Sequence, residues 1–334
     1  MARIAINGFG RIGRTAFKIA LKNSSIEVVA LNDLADVKTL AYLLKYDSNY
    51  GVYAEDISVE ENAIVVNGKC YPVYSKKDPA ELPWAELGVE VVLECTGIFL
   101  DEEKAGLHLK AGAKKVVLSA PPKGGNIATF VLGVNQEKVH DVENNIYSNA
   151  SCTTNCIAPV AKVLHNAFGV KKAIMTTIHG YTADQSLQDS PHKDMRRGRS
   201  AAENIVPTTT GAAIATTETI PELKGLFGGL AIRVPVPVGS LSDCTFLVAR
   251  PTTKEEVNAV LSEAAQRQEF KGILTVTSDP IVSSDIIGNA HSSIVDLSLT
   301  SVVDGDLVKV VSWYDNEWGY SSRLVEFAAA LLSV

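Results

Sequence analysis

The 334-residue sequence has no apolar run of the roughly 18 to 20 residues that a membrane-spanning helix needs, so no such span is expected. It has no surplus of positive charge. With 31 Lys and Arg against 38 Asp and Glu, the net charge of -7 argues for solubility and against a general affinity for nucleic acid. Cysteines number only five, an odd count, and no apolar leader follows Met1-Ala2-Arg3. A disulfide framework and a targeting segment are therefore not expected, and a cytoplasmic protein with reduced thiols is. No ligand cluster has the spacing of a metal site, and no internal repeat or low-complexity stretch interrupts the chain. What remains is ordinary globular composition, 46% hydrophobic and 21% charged, in a chain long enough for two domains.

The first half alternates strand and helix. Residues 2–7 form a short apolar strand, and a Gly-rich turn follows. Ile12, Ala16, Ile19 and Ala20 then recur at helical spacing, marking a crossover helix with one buried face. Apolar runs at 26–32, 89–95, 115–119 and 146–148 read as further buried strands. Strands alternating with helices imply a mostly parallel sheet with right-handed crossovers.

The second half reads differently. Residues 241–250 alternate like a strand, and Thr253-Lys254-Glu255-Glu256 has the form of a capping box opening a helix to about Arg267. Residues 293–303 and 307–314 flank Asp304-Gly305, a hairpin signal that makes neighbouring strands antiparallel. The tail from Trp318 is helical, with Leu324, Phe327, Ala328 and Leu331 on one face. Two architectures imply two domains, joined near residue 150.

Gly8-Phe9-Gly10-Arg11-Ile12-Gly13 fits G-x-G-x-x-G. Alone, the pattern marks a tight turn; here it follows a strand and opens a helix, the context that dinucleotide binding requires. Gly8 permits the turn, Gly10 lets the backbone approach a pyrophosphate, and Gly13 allows helix to pack on strand. The helix start offers N–H groups and partial positive charge to phosphates. Asp33, ending the second strand, can bond the adenosine ribose and would repel a 2′-phosphate, favouring NAD over NADP.

Ser151-Cys152-Thr153-Thr154-Asn155-Cys156 joins a strand end to a helix whose face carries Ile157, Val160, Ala161, Leu164 and Phe168, with Gly169 placed to close it. At that helix start, Cys152 is expected to have a lowered thiol pKa. Cys70, Cys95 and Cys244 lie in or beside strand-like runs and read as inert core; Cys156 reads as structural. Among the histidines, His108, His140 and His165 fall in helix-like segments on the expected surface. His192 lies in a basic loop and His291 beside small polar residues. His179 ends the run 173–178, where loops carry chemistry, and suits the base for a helix-start thiol.

Over essentially its whole length the chain resembles the phosphorylating glyceraldehyde-3-phosphate dehydrogenases. The motifs carrying the likeness are Ile6–Gly13, Ser151–Cys156, Pro207-Thr208-Thr209-Thr210-Gly211 and Trp313-Tyr314-Asp315-Asn316-Glu317-Trp318-Gly319-Tyr320. The resemblance implies an α/β Rossmann dinucleotide-binding domain at 1–151, with the C-terminal helix 318–334 packing back on it. An α+β catalytic domain with a mainly antiparallel sheet follows at 152–317. It implies NAD as cofactor and a cytoplasmic homotetramer working in glycolysis on glyceraldehyde 3-phosphate and inorganic phosphate.

Residue by residue, the resemblance implies that Arg11 and Ile12 lie along the pyrophosphate and that Asp33 binds the adenosine ribose. Lys77, Thr96 and Ser119 would line the dinucleotide, and Asn316 would hold the nicotinamide carboxamide. Cys152 would be the nucleophile and His179 its activator. Thr182, Arg197 and Arg233 match residues holding the substrate phosphate. Ser151, Thr153, Thr210 and Gly211 match those receiving inorganic phosphate, with Arg197 able to serve both. This gives the basic run Arg196-Arg197-Gly198-Arg199 a purpose, since a guanidinium fork suits phosphate oxygens. One departure stands out: many bacterial members carry Leu-Pro before the His-Lys-Asp of this loop, where this chain has Ser190-Pro191. The small polar residue is expected to loosen the exclusion of NADP. A related enzyme, erythrose-4-phosphate dehydrogenase, shares the Cys and His; it would carry a glutamate at the end of the second strand, whereas this chain has Asn32-Asp33.

Overall fold

Ala2–Asn7, the first strand of this computed structural model, which describes residues 1–332, lies in the middle of a nine-stranded sheet. Its Ile4, Ala5 and Ile6 are fully buried, as a strand covered on both faces requires. Ile26–Asn32 pairs on one side and Val91–Glu94 on the other, both parallel. Lys115–Leu118, Ile146–Ser148 and Ala128–Thr129 extend the sheet beyond Val91–Glu94, also parallel. Successive strands thus leave the central one in opposite directions, which opens a crevice at its carboxyl end.

The expected run 89–95 shortens to Val91–Glu94 and 115–119 to Lys115–Leu118. A meander with no counterpart among the expected strands completes the sheet: Ile57–Glu60, Ala63–Val66 and Lys69–Tyr74. Asn67 (φ 50) and Gly68 (φ 78) turn its second hairpin, a two-residue turn that needs both residues left-handed. In Lys69–Tyr74 the pleat turns Tyr71 inward and leaves Cys70 exposed, so Cys70 is not the core residue expected.

The second sheet has eight strands and is mainly antiparallel. Its longest member, Val170–Gly180, pairs antiparallel with Ser240–Val248 and parallel with Phe227–Val234. The expected strand 293–303 divides into Ser293–Asp296, a 3-10 turn at Leu297–Leu299, and Ser301–Val303. The hairpin at Asp304-Gly305 forms, with Ser301–Val303 paired to Leu307–Tyr314. Thr253 caps Lys254–Gln266 through its hydroxyl, while Glu256 turns to Thr252 and Arg250 instead of closing the box.

Two compact units result. One comprises residues 1–130, 137–150 and the tail from Ser321; the other comprises 131–136 and 151–320. The C-terminal helix is Trp318–Ala330; residues 333–334 of the expected 318–334 lie outside the described residues. Within the first unit its Phe327 meets Phe130 and Tyr147, with ring centroids 5.6 and 6.1 Å away. Among the described residues no helix is long and apolar enough to cross a membrane.

Candidate active site

The helix Cys152–Phe168 begins with its nucleophile. Ser151 caps it by accepting from the Thr154 N–H at 3.0 Å, and Gly169 (φ 70) ends it in the left-handed conformation. The Cys152 Sγ lies 3.4 Å from His179 Nε2, at the end of the long strand Val170–Gly180. His179 Nδ1 is 2.6 Å from the Gly180 carbonyl, a separation that requires a proton between them. The Nε2 lone pair therefore faces the thiol. Arg233 NH1 donates to the same carbonyl at 3.1 Å and lies 2.9 Å from Nδ1.

These neighbours set the protonation state. Burial, then the Arg233 guanidinium, holds the His179 imidazole down at about 3. Burial pushes the Cys152 thiol up, against Arg233 and the Thr153 and Cys152 N–H groups that favour the thiolate. The expected lowering at the helix start is thus overturned: loss of water around the half-buried thiol is the largest influence on it and raises it, while His179 Nε2 faces it as a base. Burial pushes Cys156 further, to about 11, and Cys244 well up, so neither competes as a nucleophile.

Two groups given no role in the sequence reading, Tyr314 within a quoted motif and Ser240 outside any, support the pair. Tyr314 hydroxyl lies 2.8 Å from both Thr153 Oγ1 and Thr177 Oγ1, and its ring meets His179 edge-on. Ser240 Oγ accepts from the Gly180 N–H at 3.2 Å and donates to Asn316 Oδ1 at 3.0 Å, so it ties the base's strand to Asn316. Asn316 Oδ1 also accepts from the Gly239 N–H, which leaves its amide nitrogen as the end available to a ligand carbonyl.

Positive charge gathers beside this pair. Arg233 NH1 donates to Thr182 Oγ1 at 3.2 Å. Arg197 reaches Asp184 through NH1 at 2.5 Å, Thr208 Oγ1 through Nε at 3.0 Å, and the Thr209 carbonyl through NH2 at 3.2 Å. Thr182, Arg197 and Arg233 are therefore drawn together, and Arg197 spans to the turn holding Thr210 and Gly211. Gly211 stands at the N-terminus of helix Ala212–Thr219, and Thr210 Oγ1 accepts from the Ala212 N–H. Ser151 and Thr153 have their hydroxyls committed to the helix cap and to Tyr314. Asp184 is the residue missed: it is exposed, and although partial loss of water raises its carboxyl, the Thr182 hydroxyl that donates to it and the Arg197 and Arg233 guanidiniums hold it below the usual range. The only sequence signal was its place two residues after Thr182. Ser190 is exposed, with its hydroxyl 2.6 Å from that of Ser186.

In the first unit a cleft of about 480 Å³ opens over the carboxyl ends of the strands, lined by Gly8, Gly10, Asp33, Lys77 and Thr96 among others. Gly8 (φ 91) could not carry a side chain, since a Cβ would sit 2.7 Å from the Thr96 nitrogen. A Cβ on Gly13 would meet the Gly8 carbonyl at 2.0 Å, so helix packs on strand through that glycine. A Cβ on Gly10 would meet nothing within 4 Å, and no side chain caps the helix Arg11–Ala20. A pyrophosphate fits there, on open backbone at a helix start. Asp33 accepts from the Phe9 N–H at 2.7 Å and from the Ala35 N–H at 3.0 Å, so the carboxylate shapes the glycine turn as well as facing the cleft. Arg11 and Ile12 open the helix, but the Arg11 guanidinium turns away to Asp47 at 2.8 Å. That leaves its backbone, not its charge, for phosphate. Ser119 follows Lys115–Leu118, outside the residues that line the cleft.

Two family models match the chain. The NAD binding domain of glyceraldehyde 3-phosphate dehydrogenase matches residues 2–102, and its C-terminal domain matches residues 151–316. A Geobacillus stearothermophilus protein named glyceraldehyde-3-phosphate dehydrogenase is 54% identical over 331 residues, covering 99% of this chain and 98% of that protein. One from Streptomyces coelicolor with the same name is 54% identical, covering 97% and 96%. A glyceraldehyde-3-phosphate dehydrogenase 1 from Bacillus subtilis is 53% identical, covering 98% and 97%.

Proposed function

The chain belongs to the glyceraldehyde-3-phosphate dehydrogenase family, and from that premise we propose that Cys152 and His179 carry the family's reaction here. The protein is an NAD-dependent oxidoreductase that converts D-glyceraldehyde 3-phosphate and inorganic phosphate to 1,3-bisphosphoglycerate. The observation carrying the assignment is the 3.4 Å approach of Cys152 Sγ to His179 Nε2, with Nδ1 already committed to Gly180.

With its Nε2 lone pair facing the thiol, His179 takes the Cys152 proton as sulfur attacks the aldehyde carbon. The imidazolium then protonates the new alkoxide, giving a hemithioacetal on Cys152. His179 Nε2 takes that proton back in the oxidation, and the product on sulfur is a thioester. NAD, when bound, supplies the hydride acceptor for this step. Phosphate oxygen then attacks the thioester carbon, the carbon–sulfur bond breaks, and the proton on His179 returns to the departing sulfur. The Cys152 N–H and the His179 side chain stabilise the oxyanion of each addition.

Arg233, Thr182 and Arg197 hold the substrate's phosphate in this reading. Ser151, Thr153, Thr210 and Gly211 receive inorganic phosphate. Gly8, Gly10, Gly13, Asp33, Lys77, Thr96, Ser119 and the backbone at Arg11 and Ile12 take the cofactor, with Asn316 on the nicotinamide carboxamide. The cofactor domain is then 1–151 with the C-terminal helix, and the catalytic domain 152–317. A cytoplasmic location fits five cysteines without a disulfide.

A homotetramer is the assembly we assign. Ile174 (64% exposed), Leu226, Leu230 and Leu307 leave an apolar surface on the second sheet, the kind of patch that a further copy covers. Light scattering at micromolar concentration should give four times the chain mass.

The deciding assay is NADH formation from glyceraldehyde 3-phosphate, with and without phosphate. Steady turnover should require phosphate, and Cys152→Ser should abolish it while NAD still binds. Turnover by Cys152→Ser, or steady turnover without any acyl acceptor, would remove the thioester from the pathway.

A further inference from the structure

His108, expected on the surface, is fully buried, and so is Glu94 beside it. The pair lies outside the catalytic machinery, yet its hydrogen bonds lead to the walls of the dinucleotide cleft. Asn7, Asn32 and Glu94 are register partners on three adjacent parallel strands, at the carboxyl edge of the sheet. Their side chains form a row: Asn32 Nδ2 donates to Asn7 Oδ1 at 2.7 Å, and Asn7 Nδ2 donates to Glu94 Oε2 at 2.6 Å. His108 Nε2 lies 3.0 Å from the same carboxylate oxygen.

The direction of every bond follows from one end. Trp84 Nε1 lies 3.0 Å from His108 Nδ1, and an indole N–H can only donate. Nδ1 therefore accepts, the ring proton sits on Nε2, and His108 donates to Glu94 as a neutral imidazole. The other oxygen, Oε1, accepts from the Thr96 N–H at 2.7 Å and from the Thr96 hydroxyl. All four contacts converge on Glu94 as acceptor, the pattern of an ionised carboxylate. Among the described groups that bond it, none is a lysine or arginine.

The bonds through Asn7, Asn32 and Thr96 end in segments that line the cleft, while those to His108 and Trp84 anchor the row from behind. Asn7 precedes the Gly8 turn. Asn32 holds the segment before Lys77, accepting from the Lys76 N–H at 2.9 Å and donating to the Lys76 carbonyl at 3.0 Å. Thr96 is itself a lining residue and accepts from the Ile98 N–H at 3.1 Å.

We propose that Glu94 is the positioning residue of the cofactor site, its carboxylate setting the Gly8 turn, the Lys76–Lys77 segment and the Thr96 turn through converging hydrogen bonds. The proposal rests on the reading that this cleft takes NAD. Replacement by glutamine keeps shape but places an amide among donors that cannot reverse. The Thr96 N–H is fixed, His108 is held by Trp84, and Asn7 cannot flip without losing Asn32. A fully satisfied network fixes its surroundings, and a half-satisfied one lets them shift.

The test is NAD binding by titration calorimetry to purified protein freed of nucleotide, with the iodoacetamide rate of Cys152 and the melting temperature recorded alongside. Glu94→Gln should raise the Kd for NAD at least tenfold and raise that for ADP-ribose in parallel. The Cys152 rate in the nucleotide-free protein should stay within twofold. Gly10→Val, whose side chain would stand in the open cleft, should abolish binding. A Glu94→Gln protein that melts earlier but binds NAD within twofold of the parent would make Glu94 a stability residue and overturn the proposal. Normal binding by Gly10→Val would instead remove NAD from this cleft, and the proposal with it. Should Glu94→Gln fail to fold, His108→Leu is measured in its place. It removes one donor, and should raise the Kd about fivefold or more; an unchanged Kd overturns the proposal.

Discussion

Arg197 NH1 lies 2.5 Å from Asp184 Oδ2, so the guanidinium assigned to both anion sites already holds a carboxylate. Its other nitrogens reach Thr208 and Thr209, which places one side chain between the substrate-phosphate residues and the Thr-rich turn. A planar fork can exchange one oxygen partner for another without moving far, which a lysine ammonium cannot reproduce. Arg197→Lys should therefore raise the KM for glyceraldehyde 3-phosphate and for inorganic phosphate together, by roughly tenfold or more, the loss of one charge-assisted contact in each site. A rise in only one of the two constants would confine Arg197 to that site.

The nucleophile pair predicts a pattern of labelling. Cys156 and Cys244 are buried, Cys70 is exposed, and Cys95 is partly exposed like Cys152, but burial and then the Glu94 charge push the Cys95 thiol far up, so alkylation has two reactive targets and only one should matter. In a Cys70→Ser background, iodoacetamide should modify Cys152 alone and activity should fall in step with label. Because the thiol is pushed up by burial and His179 acts as its base, His179→Asn should slow that labelling at pH 8. A factor of about 10² to 10⁴ is the usual range for a lost general base. Equal rates in the two proteins would show that Cys152 reacts without help from His179.

Local chemistry made much of this legible. The glycine turn and the helix-start cysteine each carry their signal within a few residues, and the structure forms both as the spacing implied. His108 was misplaced because its helix, Glu102–Lys110, is largely polar, so periodicity gives no hint of an inward face. What surrounds it is Trp84, Phe99 and Glu94, the last on a strand 14 residues earlier, and such packing has no local trace. Cys70 was misjudged for a simpler reason: its strand alternates, and Tyr71 takes the inward position. The direction of the Cys152 thiol is not legible because a helix start is visible in sequence while the loss of water around a half-buried sulfur is not.

His179 also sets a pH dependence of stability. An unfolded histidine protonates below about pH 6.5, whereas the folded one stays neutral down to about 3. The unfolded state therefore binds the extra proton across that window, and folding loses stability as pH falls through it, by up to about 1.4 kcal/mol per pH unit. Above about pH 7 the residue contributes no slope. His179→Gln should flatten the dependence between pH 6 and 4, read as a smaller shift of the urea midpoint. An identical shift in both proteins would mean that His179 is already protonated when folded. Arg233→Ala should move the same histidine upward, because the guanidinium is the second cause of its depression after burial.

Substitution should separate the two anion sites. Arg233 contacts Thr182 and the Gly180 carbonyl beside the base, so its loss should raise the KM for glyceraldehyde 3-phosphate and slow the chemistry together. Thr210 stands apart, at the turn before helix Ala212–Thr219, where its hydroxyl accepts from the Ala212 N–H. Hydroxyls and N–H groups at such a helix start can converge on an anion without touching the thiol. Thr210→Ala should leave the KM for the aldehyde within about twofold and raise that for phosphate roughly tenfold, the worth of one hydrogen bond to a charged group. Oxidation precedes phosphate attack, so rapid mixing should still give a full burst of NADH, close to one per active site, followed by a slowed steady state. Arsenate, which can occupy the same anion pocket, should lose effectiveness in parallel with phosphate. A Thr210→Ala protein with no burst and unchanged phosphate dependence would place the residue in the oxidation step, and the turn at Thr208–Gly211 would then belong to the substrate's own phosphate.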